Sequence, residues 1–165
     1  MNPSQIRPLI HSAGAAAFVA AVSACSPVED APSEAYNGAM TVEALTEADL
    51  TGQTLDGELG CSFTVDDVGA VFLAMGYVAD EGPAMGLVRA GGTVHRVSTR
   101  SGGYDEMIDG AEFEGPDSGS DVEVDIDRTS DEPLSGGESP AYPGRITIGW
   151  RDEEVTAAGR WTCGP

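Results

Sequence analysis

From Leu59 onward the chain alternates. Leu59, Cys61, Phe63 and Val65 are apolar, and Gly60, Ser62, Thr64 and Asp66 between them are small or polar. Successive side chains of a strand point to opposite faces, so this period of two predicts a half-buried β-strand. Residues 69–78 form an apolar run too rich in glycine for a helix, which predicts a buried strand. After a turn at Asp80-Glu81-Gly82-Pro83, residues 84–90 and 93–98 flank Gly91-Gly92, the pattern of a tight β-hairpin. Residues 104–109 follow the breaker Ser101-Gly102-Gly103 and suit one helical turn. Over 121–127 (DVEVDID), Val122, Val124 and Ile126 share one face and four acids the other; over 145–151, Ile146, Ile148 and Trp150 point inward. A last strand spans 155–163, beyond an acidic turn at 152–154, and 130–144 reads as a Pro/Gly-rich loop. The prediction is a mainly β domain over 59–165, a small antiparallel sandwich or barrel.

Upstream the pattern changes. Arg7 precedes the uncharged apolar run 13–24, which at 1.5 Å per residue reaches roughly 18 Å, short of the ~30 Å hydrocarbon core. Residues 1–24 therefore read as a signal peptide and not as a membrane span. Val22-Ser23-Ala24-Cys25 resembles the lipobox of bacterial lipoproteins, an aliphatic residue and two small ones before a cysteine. The resemblance implies acylation at Cys25 (diacylglyceryl with a further chain such as palmitate) and anchoring in the cell envelope. Ser26 after the cysteine implies the outer membrane, facing the periplasm, by the enteric sorting rule. Ordinary signal-peptidase cleavage at the same bond, giving a soluble periplasmic protein, is the alternative. Residues 25–58 hold eight acids and no base and open on a Pro/Ala/Ser stretch, which reads as a lipidated cysteine followed by a flexible acidic tether. Within it, Thr46 suits the cap of a short helix reaching residue 50.

Cysteine arithmetic agrees with the lipobox. Of Cys25, Cys61 and Cys163, lipidation would consume the first and leave a pair. Cys61 shares a face with Leu59 and Phe63, and Cys163 with Trp161, so a Cys61–Cys163 disulfide would join the first and last strands. Beyond Cys25 there are 28 acids against 7 arginines, a net charge of −21, and no lysine occurs anywhere. Such a field repels phosphate backbones, which excludes nucleic acid as a partner and favours cationic ones.

The residues of common catalytic machinery are sparse. His95 is the only histidine beyond the signal segment, and its setting in Thr-Val-His-Arg-Val suits a strand residue better than a catalytic base. Gly137-Glu138-Ser139-Pro140-Ala141 has the G-x-S-x-G spacing but sits in a proline loop, without the strand-to-helix elbow. Asp121, Glu123, Asp125 and Glu132 match positions 1, 3, 5 and 12 of an EF-hand count, yet Ile126 stands where the loop needs glycine. No zinc spacing, P-loop or dinucleotide motif occurs, so no metal or cofactor is expected. Ser101-Gly102-Gly103-Tyr104 resembles the Ser-Gly-x-Tyr loop of some bacterial lysozyme-inhibitor families, small envelope β-domains that insert a loop into a cationic enzyme. That resemblance implies an inhibitor role for Ser101, Gly102 and Tyr104. The expectation is a non-enzymatic envelope lipoprotein, a binding or accessory module; inhibition of a cationic lysozyme-type enzyme and a small carboxylate-dependent hydrolase are the alternatives.

Overall fold

A computed structural model describes residues 39–116 and 120–165, all within one compact unit. The expected signal segment, the expected lipidation site Cys25 and the expected tether as far as residue 38 lie outside them. Eight strands follow in order: β1 (Leu59–Val65), β2 (Gly69–Gly76), β3 (Met85–Ala90), β4 (Thr93–Ser98), β5 (Gly110–Glu114), β6 (Val122–Arg128), β7 (Ala141–Trp150) and β8 (Glu153–Gly164). Each pairs antiparallel with its sequence neighbours, and β8 returns to β1, so the sheet closes into an up-and-down barrel. Closure removes the free edges that an open sandwich would carry.

An eight-stranded barrel leaves an interior just wide enough for side chains, and here aromatic rings fill it. Phe63, Phe72, Phe113 and Trp161 are fully buried, with Phe72 edge-on to Phe113 at 4.8 Å and 6.2 Å from Trp161. Aliphatic side chains of β6 and β7, among them Val124, Ile126, Ile146 and Ile148, complete the core. Gly86 makes room for one ring, since a Cβ there would lie 2.7 Å from Phe72 Cζ. The expected hairpin forms at Gly91-Gly92, both with positive φ as a type I′ turn requires.

Cys61 and Cys163 are direct cross-strand partners on β1 and β8, and their disulfide spans 102 residues. It staples the seam at which the two ends of the sheet meet.

Three features differ from the sequence expectation. Residues 110–114 form β5, which the pattern reading did not assign. β7 begins at Ala141 and not at 145, because Pro143, though it lacks an N–H, still accepts from Thr129 N at 2.9 Å. And the last part of the supposed tether lies against the barrel: Met40 is buried in the core cluster, and Leu45 N bonds Ala70 O at 2.8 Å. Here α1 (Glu47–Leu50) is capped by Thr46, whose Oγ1 accepts from Asp49 N while Asp49 Oδ2 accepts from Thr46 N. Arg89 clamps this strap, pairing with Glu43 at 2.9 Å and Asp49 at 2.6 Å. Arg96 bonds Thr54 O at 2.6 Å and faces Leu87 across the β3–β4 ladder. Leu87 points outward by register yet is only 1% exposed, between Arg89 and Arg96, the two arginines that hold the strap.

The antiparallel meander sorts the connections. The turns after β1, β3, β5 and β7 crowd one end. The other end carries the loops after β2, β4 and β6, with α2 (Gly103–Met107) in the β4–β5 connection.

Candidate binding surface

The alternation that buries one face of each strand places the intervening residues on the outer wall. On β5 that puts Ala111 and Phe113 inside and Glu112 and Glu114 outside. On β6 it puts Glu123, Asp125 and Asp127 outside. The register then sets Glu112 opposite Asp125 and Glu114 opposite Glu123. Thr147 and Gly149 of β7 continue the two rows, and Gly149 pairs with Glu154 of β8. The outcome is a shallow concavity of about 330 Å³ walled by Glu112, Glu114, Glu123, Asp125 and Glu154. Like charges placed directly across a ladder repel, so this wall is held together against its own electrostatics by the core beneath it.

That repulsion has a titration signature. The Asp125 carboxyl is pushed above its ordinary value, first by partial burial, then by the charges of Asp127 and Glu112. One cation reaches the rim: Arg100 pairs with Glu114 at 2.6 Å, both well exposed, and Glu114 holds the guanidinium proton more firmly. Exposed pairs of this kind contribute little to stability. Among the described residues no group of three His, Cys, Asp or Glu side chains converges to hold a metal ion. The acids of 121–127 stand along a strand and do not gather around a point.

The other candidates are placed elsewhere. His95 is half-buried, 6.2 Å from the Trp150 ring, and one ring nitrogen bonds Ala90 O at 3.1 Å. A backbone carbonyl therefore takes the contact that a serine or aspartate would make in a triad. Ser101, Gly102 and Tyr104 open α2, but the segment is sewn down. Gly102 N bonds Glu81 O, Gly103 N bonds Gly82 O at 2.8 Å, and Tyr104 N bonds Tyr77 O at 3.0 Å. Tyr104 is half-buried against the core, and burial raises its hydroxyl pKa. The string lies at one end of the barrel, with Ser101 exposed and the backbone tied to the β2–β3 connection. Ser139 lies by the C-terminus, its Oγ 3.5 Å from Pro165 O.

Sequence reasoning found the acids of 121–127 but missed Glu112 and Glu114. Their signal was present in Gly-Ala-Glu-Phe-Glu, a five-residue alternation following directly on a helical turn. Among the described residues no helix is long and apolar enough to cross a membrane. No protein-family model, curated protein or solved structure matches the chain.

Proposed function

We propose that this is a non-enzymatic binding module of the cell envelope, tethered by lipid on Cys25, that engages a cationic partner through the outer wall of β5–β8. The observation that carries the reading is the cross-strand stacking of Glu112 on Asp125 and Glu114 on Glu123. Aligned like charges raise the free energy of the isolated domain, and a basic surface laid over them relieves it. The barrel interior is packed with rings and aliphatic chains, so the outside is where a partner has room to bind. A hydrolase would need one carboxyl shielded from water and poised beside the scissile bond; Glu112, Glu114, Glu123 and Asp125 all stand exposed on the wall, Asp125 included although its carboxyl is pushed up.

Inhibition of a cationic lysozyme-type enzyme is one version of this reading. In that version the acidic wall makes the contact, since Tyr104 is half-buried against the core. The test is sedimentation of the intact protein with a basic lysozyme at low and at high ionic strength. Association that weakens steeply with salt, and that falls with Glu112→Gln, Glu123→Gln and Asp125→Asn combined, supports the wall. Association unchanged by that triple variant, or none at low salt, removes it.

A further inference from the structure

We infer that the groove at the α2 end of the barrel, between Tyr77 and Met85, is a receptor for a single arginine side chain of a protein partner. It goes beyond the acidic wall and shares no residue with it.

The groove has a volume of about 360 Å³ and is lined by Asp56, Tyr77, Asp80, Pro83 and Met85, with Gly82 and Gly103 in its floor. Tyr77, Pro83 and Met85 make its walls largely apolar. Tyr77, which lines the groove, and its chain neighbour Val78 are 46% and 44% exposed, among several large apolar side chains that reach this surface. They are not exposed through looseness. The loop that carries them is pinned at Tyr77 O by Tyr104 N, at Val78 N by Glu58, at Ala79 N by Asp105 and at Gly82 O by Gly103 N. The last contact needs glycine: Gly103 has φ of 52°, and a Cβ there would lie 2.5 Å from Tyr77 O. An apolar shelf held this firmly is preorganised, and a ligand that settles on it need not order it first.

Two carboxylates choose the ligand. Asp56 makes no hydrogen bond or ion pair among the described residues, and Asp80 accepts only from Gly82 N, through Oδ1. A purely apolar occupant would strip water from both acids and offer nothing in return. Arginine answers each wall. Its methylene stem packs on Pro83 and Met85, its flat guanidinium stacks on the Tyr77 ring, and its forked donors reach carboxylates. Lysine, a point charge that does not stack, satisfies only part of that set.

The experiment is an amide-shift titration of the intact protein with N-acetyl-arginine amide, N-acetyl-lysine amide, N-acetyl-norleucine amide and guanidinium chloride. The arginine compound should give saturable shifts at Tyr77, Val78, Gly82 and Gly103. The other three should bind at least about fivefold more weakly, the difference a stacked and desolvated cation makes. Asp56→Asn removes an exposed acid that has no partner among the described residues, without touching the core, and should weaken arginine binding about threefold or more. The variant Glu112→Gln with Asp125→Asn should leave it unchanged, which separates this site from failure of the acidic wall. Equal binding of the norleucine compound, shifts centred on β5 and β6, or no saturation would each overturn the proposal.

Discussion

The indole nitrogen of Trp161 donates to the main-chain oxygen of Met107 at 2.8 Å, joining the last strand to the end of α2 inside the barrel. Both residues are fully buried. Trp161→Phe keeps most of the apolar bulk but removes this donor from a buried carbonyl. We expect a loss of about 2–3 kcal/mol, read as a lower urea midpoint at unchanged slope. A change of slope would instead mean that the α2 end had loosened.

The disulfide closes a loop of 102 residues. On the chain-entropy account, replacing Cys61 and Cys163 together by alanine lowers stability by about 4–5 kcal/mol. Guanidinium unfolding of the oxidised protein and the double variant measures this directly. A difference below about 1 kcal/mol would show that the β1–β8 ladder holds the seam unaided.

Gly91 and Gly92 both sit at positive φ, but only one of them is crowded. A Cβ on Gly91 would lie 2.2 Å from the Trp150 ring, and one on Gly92 meets nothing within 4 Å. Gly92→Ala should therefore cost about 1–2 kcal/mol, the left-handed backbone penalty alone. Gly91→Ala should cost clearly more and shift the Trp150 fluorescence. Equal losses would contradict the packing at this turn.

Asp125 titrates above the ordinary aspartate value in the folded state, so its ionised form opposes folding. That penalty is fully present above the raised pKa and is relieved as the pH falls through it. Asp125→Asn should raise the melting temperature at neutral pH. The gain should vanish in acid, where the native carboxyl is already neutral. Asp49 behaves oppositely: hydrogen bonds from Thr46, with Arg89 nearby, lower its pKa, so its contribution is present above the ordinary value and lost as the pH falls below it. Asp49→Asn should destabilise at neutral pH and have little effect at low pH.

Much of the barrel was legible in the sequence. The alternation of β1, the Gly91-Gly92 hairpin, the outward acids of β6 and the inward Ile146 and Ile148 of β7 are local, because strand periodicity needs only neighbours along the chain. The cysteine pairing was legible too, since Cys61 and Cys163 fall on inward positions of the first and last strands. What escaped were segments whose state is set from elsewhere. The first residues of β7 read as loop, because Pro143 and Gly144 are poor strand formers until β8 pairs with them. β5 is five residues long and gains its strand geometry from β6.

The sequence by itself determined the faces of β1, β6 and most of β7, with the acids of 121–127 outward, and that the chain is strongly anionic. Only the tertiary structure decided that the sheet closes on itself, that residues from Met40 onward lie against the barrel, and that Glu112 meets Asp125. The physical reason is range. A period of two is written residue by residue, whereas closure and cross-strand register are collective properties, set by twist and by the volume of the rings the barrel must enclose.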